Sequence, residues 1–381
     1  MTAVEGDGTA PPADAADPLH LMRLVFGTMA AQTVGAAARL GVMDALGDGE
    51  RAADEVAAAC GTQPRATLRL LRALAALELL VESRPGVFSA TPAGRLLDTR
   101  HPRSHASPAR VFTDPQMVRA WEDLAESVRT GEPTFPQVFG KGFFERLGEL
   151  PELSAEFNAS MSESTRATAA TLPDSYDFGR YRTVVDVGGG DGTLLAAVLR
   201  AFPSVRGVVH DTPRGLAQAA GTMERAGLTD RFSAVTGDFF ASVPEGGDLY
   251  LLKSVIHDWD DERCVTILRN CRQALPAHGR VLIVERVMPP VVDPTVAGWY
   301  LSDLNMLVNL GGRERTREEF TTLCEEAGFA APSFSELPAP SVFSLIEAAP
   351  RPTGTATAAG HEPPPRSMAR RRAPTDDLDD R

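Results

Sequence analysis
The chain predicts an α/β protein in which a doubly wound, Rossmann-like domain (176–348) follows a mostly helical, winged-helix-like domain (19–100); three observations lead there. Val184, Val185 and Val187 form an apolar run that ends in Gly188-Gly189-Gly190-Asp191-Gly192-Thr193, the pattern of a buried strand turning through glycines into a helix. From Tyr181 onward, short apolar runs alternate with stretches of helical periodicity, which predicts a parallel sheet covered on both faces. Residues 53–97 give two helices and then a hairpin tip at Arg84-Pro85-Gly86, the order of a winged helix. A length of 381 residues suits two domains at roughly 150 residues each.

In chain order, residues 1–18 are small and acidic, lack the basic-apolar pattern of an export signal, and read as disordered. Over 19–46 apolar residues recur at helical spacing, and Gly27, Ala30, Ala31, Gly35 and Ala36 leave room for close contact, so this face predicts a partner helix and a dimer. Thr62 is placed to cap the apolar helix 66–80. A DNA-reading role for that helix would rest on Arg65, Arg69 and Arg72 among leucines and alanines; a packing or dimerisation module is the better account. The connector 101–175 carries Phe112, Trp121, Phe135, Phe139, Phe143, Phe144 and Phe157, core residues by default and in part walls of an apolar pocket between domains. His101 and His105 stand i,i+4, but Pro102 interrupts the helix that would bring them onto a metal. Strands are expected at 184–187, 205–209, 232–236, 249–253 and 281–285, then a terminal hairpin of 333–336 and 342–346. The tail 349–381, with its basic cluster 366–372, reads as disordered and solvated.

Composition narrows the function classes. A net charge of -13 argues against a broad nucleic-acid footprint, and no apolar run reaches the ~20 residues of a membrane span, so a cytoplasmic protein without nucleic-acid or membrane partners is expected. Cys60, Cys264, Cys271 and Cys324 lack any metal-ligand or redox spacing and read as packed, reduced thiols.

Ligands of open α/β sheets sit beyond the carboxyl ends of the strands, so the residues there carry the functional signal. Gly188, Gly190 and Gly192 form G-x-G-x-G, lacking the third glycine of the dinucleotide fingerprint where Thr193 stands; alone, the turn also suits an NAD enzyme or a tight turn without ligand. Asp211, about 20 residues on, stands where an acid accepts hydrogen bonds from ribose hydroxyls. Asp238 is placed for an adenine amine and Phe239 for a ring face, although either aspartate would also serve as a turn or cap residue. His257 lies just past the strand 249–253, beside carboxylates, where an imidazole takes up a proton near neutral pH. Asp260 is an N-cap for the helix 262–274.

These stretches, with His210-Asp211-Thr212-Pro213, Gly237-Asp238-Phe239-Phe240, 252–259, 284–289 and Gly311-Gly312-Arg313-Glu314-Arg315-Thr316, resemble the ordered motifs of the S-adenosylmethionine (SAM)-dependent O-methyltransferases, among them plant caffeic acid enzymes and bacterial tailoring enzymes of anthracycline and mitomycin pathways. The resemblance spans about 19–348 and implies a homodimer whose N-terminal domain dimerises, SAM as cofactor, no metal, and a small aromatic substrate methylated on a hydroxyl. By position it implies that Gly188, Asp211, Asp238, Phe239 and Lys253 contact SAM, that His257 is the base held by Glu285 and Glu314, and that Met161, Met306 and Asn309 face the substrate. The chain departs from the family in Thr212, where leucine is usual, and in a loop before Gly311 one residue shorter than in plant members, which bears on the substrate wall. A SAM-binding relative with another reaction, such as hydroxylation or decarboxylation, and a ligand-sensing winged-helix regulator are the alternatives.

Overall fold
The computed structural model describes residues 18–352; the disorder expected for 1–18 and 349–381 falls outside this range but for its inner edges. Within it the sheet forms from β1 (Thr183–Val187), β2 (Arg206–Asp211), β3 (Phe232–Thr236), β4 (Leu249–Lys253), β5 (Arg280–Glu285), β6 (Ser333–Glu336) and β7 (Ser344–Ala348). Their order is β6-β7-β5-β4-β1-β2-β3. The five strands from β5 to β3 are parallel, whereas β7 runs antiparallel to β5 and β6 antiparallel to β7. The expected terminal hairpin therefore exists, but it extends the main sheet and makes it mixed rather than parallel. Strand order reverses at β1, which has β2 on one side and β4 on the other, so the glycine turn after β1 opens at the switch point where such sheets bind ligands.

Alternation along the strands builds two cores. Val185, Val187, Tyr250, Leu252, Val281 and Ile283 pack with helices Asp261–Ala274 and Arg317–Glu326, while Val184, Leu249, Leu251, Leu282 and Val284 pack with Thr193–Ala201, Met223 and Leu172. The same alternation delivers Glu285 to the first face and Lys253 to the second.

The helix expected over 19–46 is three helices, Pro18–Val25, Gly27–Leu40 and Val42–Leu46, interrupted at Phe26 and Gly41. Its small residues also serve this chain's own packing: Gly35, Ala37 and Ala38 are buried, and Gln32 and Arg39 bond Thr113, at 3.2 and 2.8 Å, beyond the helix Ala106–Val111. The large apolar side chains Leu21, Leu24, Val25, Phe26 and Met29 stay exposed. Gln63, not Thr62, caps the next helix, Pro64–Ala76: its side chain accepts the Ala66 N–H at 2.7 Å, while Thr62 pairs with the Thr67 hydroxyl. That helix buries Thr67, Leu71 and Leu74, and Arg72 pairs with Glu82, as a packing element does. It ends at Ala76, and 80–90 form the hairpin Leu80–Arg84 and Val87–Ala90.

The connector aromatics form a third core around Phe135 and Phe143, joined by Trp121, Phe139 and Phe157; Phe112 is exposed. The long helix Pro151–Ser175 packs on the helix Ala106–Val111 and on Thr193–Ala201, so it ties the start of the connector to the sheet domain. No helix among the described residues is long and apolar enough to cross a membrane.

Candidate active site
The glycine turn takes the shape its residues allow. Gly188 has φ +69°, and a Cβ there would meet Val255 Cγ2 at 2.7 Å, so a side chain is excluded by both backbone and space. Phe239 lies 3.8 Å from that same point, which puts its ring beside the turn. Asp211 closes the other side: one carboxylate oxygen accepts the Gly190 N–H at 3.0 Å and the other the Thr212 N–H at 2.6 Å. Asp238 is exposed and accepts the Phe240 N–H at 2.9 Å, as a turn-forming aspartate does. Gly188, Asp211 and Phe239 thus lie around one turn, and Asp238 precedes Phe239 in sequence. Beneath the turn Asp186 is buried with one oxygen unpartnered, and burial, helped by Asp211 and Asp191, pushes its carboxyl up to about 7. Lys253 faces the long helix instead, donating to Thr165 Oγ1 at 3.1 Å with its ammonium 4.8 Å from the Phe343 ring centre; burial lowers it to about 8. The same helix reaches the turn through Ser162, 3.1 Å from Thr193 Oγ1.

Beyond β4 the backbone makes a sharp corner. Ser254 has φ +54°, uncommon for a residue with a side chain, and the following short turn, Ile256–Asp258, carries His257. The corner converges three N–H groups, of Val255, Ile256 and His257, on Glu285 Oε1 at 2.9, 3.0 and 3.3 Å. Its other oxygen lies 3.4 Å from His257 Nδ1, and Glu314 Oε1 lies 3.5 Å from the same nitrogen. Glu314 is itself held by Arg286 at 3.0 Å and Ser302 at 2.9 Å, and its N–H is accepted by Asp303. His257 Nε2 faces away from this pair, 3.4 Å from Asp258.

The charges follow from this geometry. Burial alone would lower the imidazole, but Glu285, Asp258 and Glu314 outweigh it and hold it at about 9. Glu314, despite its burial, is drawn down to about 2 by His257, Arg286 and Ser302, while burial raises Glu285 and takes Asp258 up to about 7. An imidazole with Nδ1 against two carboxylates and Nε2 beside a third, Asp258, is arranged to hold a proton on either nitrogen. His257, Glu285 and Glu314 each offer an atom within 4.8 Å of the others, the span of a metal site. A cation there would compete with Arg286 for Glu314, and Glu285 Oε1 already accepts three N–H groups.

Met161, Met306 and Asn309 are less convergent. Met306 and Asn309 are buried on helix Ala297–Asn309, and Met161 is half-buried on the long helix. Asn309 donates to Asn305 Oδ1 at 2.8 Å, which also takes the Trp121 N–H at 3.1 Å, and Asn309 Oδ1 has no partner. Phe144 and Trp259, with ring centres 5.7 Å apart, link the connector to the His257 turn. Sequence reasoning gave Asp258, Asp186, Arg286 and Ser254 no role. Asp258 alone carried a signal, its place next to the histidine.

A family model described as an O-methyltransferase domain matches residues 121–330, and one described as an O-methyltransferase dimerisation domain matches 22–100. The chain is 50% identical over 338 residues to the O-demethylpuromycin-O-methyltransferase of Streptomyces alboniger, covering 87% of this chain and 89% of that one. It is 41% identical over 331 residues to a phenazine O-methyltransferase of Lysobacter antibioticus, covering 87% and 95%. A solved O-methyltransferase from neocarzinostatin biosynthesis, in complex with SAM and 2-hydroxy-5-methyl naphthoic acid, superposes with a TM-score of 0.73 at 33% identity, covering 88% of this chain and 99% of that one.

Proposed function
The chain belongs to the SAM-dependent O-methyltransferase family, and from that premise we propose that it methylates a phenolic hydroxyl of an aromatic or polycyclic natural product, with His257 as the base. The observation that carries the proposal is the imidazole whose Nδ1 faces two buried carboxylates while its Nε2, 3.4 Å from Asp258, lies on the opposite edge of the ring, where an incoming hydroxyl would meet it. When bound, SAM supplies a methyl group activated by the adjacent sulfonium. Gly188 and Phe239 would frame the cofactor, Asp211 would accept its ribose hydroxyls and Asp238 its adenine amine; Lys253 belongs with them on family pattern, although its ammonium bonds Thr165. Met161, Met306 and Asn309 would position the acceptor. Glu285 and Glu314 orient the imidazole and stabilise its protonated form, and no metal is assigned a role. Positioning and general-base help, the latter ~10²- to 10⁴-fold, are the contributions asked of the protein.

Mass spectrometry of an aromatic extract incubated with protein and SAM tests this: one added methyl group, unaffected by a chelator, is the expected result. Loss of a carboxyl or gain of oxygen would point to a different reaction, and tighter binding of NAD than of SAM would remove the reading altogether. Asp211→Ala is expected to weaken SAM binding by about 1–3 kcal/mol, the loss of hydrogen bonds to a charged group. Calorimetry on the folded variant checks this, and unchanged affinity would count against the assignment.

A homodimer is proposed through the N-terminal helices, supported by the dimerisation-domain match and by the exposed Leu24 and Met29 side chains. Since burying a large apolar side chain contributes about 1.5–3 kcal/mol, the double variant Leu24→Asp, Met29→Asp should be a folded monomer by light scattering. A persistent dimer would place the interface elsewhere.

A further inference from the structure
Arg315 is completely buried, an unusual place for a guanidinium, and its partners explain why it is there. Nη1 donates to the carbonyl of Ile256 at 2.9 Å and Nη2 to that of Trp259 at 2.7 Å, the carbonyls on either side of His257-Asp258. Nε and Nη2 both reach Asp261 Oδ1, at 3.0 and 2.8 Å, at the start of the helix that follows. A planar fork can bridge two carbonyls and a carboxylate at once, which a point-charge ammonium cannot. From the same segment Gly312 presses on the turn so closely that a Cβ would overlap the carbonyl oxygen of His257. Arg315 and Thr316 pair in parallel with Val287 and Met288, a separate short strand that begins two residues past Glu285, so the segment is anchored close to the other grip.

We propose that Arg315 is a positioning residue for the base: its fork grips the carbonyls of the His257 turn while Glu285 grips the N–H groups, and together they fix the imidazole against its carboxylates. This rests on the reading of His257 as base. The strained Ser254 corner gives the grip its purpose, because a turn entered at φ +54° does not hold its shape unaided. Glu314 and Arg315, adjacent in sequence, address the ring of His257 and the carbonyls of Ile256 and Trp259 that flank it and Asp258.

The test compares Arg315→Met, which retains much of the volume but no donor, with Arg315→Lys, which retains charge but cannot bridge. Three readouts are taken: SAM affinity by calorimetry, methyl incorporation from SAM into the aromatic extract, and the titration of His257 followed by NMR of histidine-labelled protein. Displacing a reacting group by about 1 Å lowers rates ~10²-fold, so Arg315→Met should lose roughly that factor and Arg315→Lys about tenfold. SAM affinity should hold, and His257 should titrate closer to the ordinary ~6.5 as the ring leaves Glu285, Glu314 and Asp258. Wild-type rate and titration in folded Arg315→Met, beside an inactive His257→Ala, overturns the proposal alone. If Arg315→Met does not fold, wild-type behaviour of Arg315→Lys in both readouts overturns it. An active His257→Ala would instead remove the base reading, leaving the titration as a direct measure of the grip.

Discussion
Replacing His257 by alanine is expected to lower methyl transfer by ~10²- to 10⁴-fold while leaving SAM affinity nearly unchanged, because the loss is of proton transfer and not of cofactor contacts. The effect should depend on pH in a defined direction. Held at about 9, the imidazole becomes available as a base as the pH rises toward that value, so the wild-type rate should climb through neutrality and level off above it. The same raised value links the ring to stability: its contribution is complete below the ~6.5 of an unfolded histidine and is lost as the pH rises through about 9. A phenol of pKa ~10 is scarcely ionised at neutral pH, which is where the variant should be weakest. Glu314→Gln should lose less, since it removes orientation and charge but leaves the base. Rate against pH for wild type and variant, with the true acceptor, decides the matter: full activity of His257→Ala well below the acceptor's own pKa means that His257 is not the base.

Glu285→Ala is expected to damage the fold and the chemistry together. Its carboxylate is the shared acceptor of three backbone N–H groups and a neighbour of the imidazole, so alanine leaves three donors without their acceptor and removes one of the carboxylates beside His257. Breaking a buried charged arrangement in this way typically destabilises by about 3–5 kcal/mol, readable in denaturant unfolding. Glu285→Gln should recover much of that stability, because an amide oxygen still accepts the N–H groups. It should not recover the rate, and losing the negative charge should move the onset of the pH profile downward. An alanine variant within about 0.5 kcal/mol of wild type would show that the turn holds its shape without Glu285.

The features legible in the sequence are those written locally. A strand ending in glycines, acids at the next two strand ends and a histidine after the fourth strand follow from residue type and spacing. What stayed hidden depends on convergence in space. Nothing near Glu285 indicates that it gathers the N–H groups of residues about 30 positions earlier, and nothing in the run Arg313-Glu314-Arg315 separates the arginine that is buried from the one that is half exposed. The Ser254 corner is invisible because serine has no marked preference for positive φ. The break at Gly41 was open to reading, but the apolar spacing continues across it. Thr62 was a sound choice of cap by type; Gln63, adjacent to the proline that opens the helix, has the longer side chain and the reach.

The two charged residues that end β4 and β5 point to opposite sides of the sheet, and this ties the chemistry to parity. Side-chain direction in a strand reverses at every step, so adding or deleting one residue within 249–253 or 280–285 would carry every later side chain of that strand to the wrong layer. Apolar substitutions of similar volume leave the count untouched, and the exposed loop around Val291 and Val292 lies beyond it. A longer loop there would leave both cores and both charged strand ends where they are. Within the two central strands, by contrast, only exchange in place keeps Lys253 and Glu285 on their own layers, so length itself is the constrained quantity.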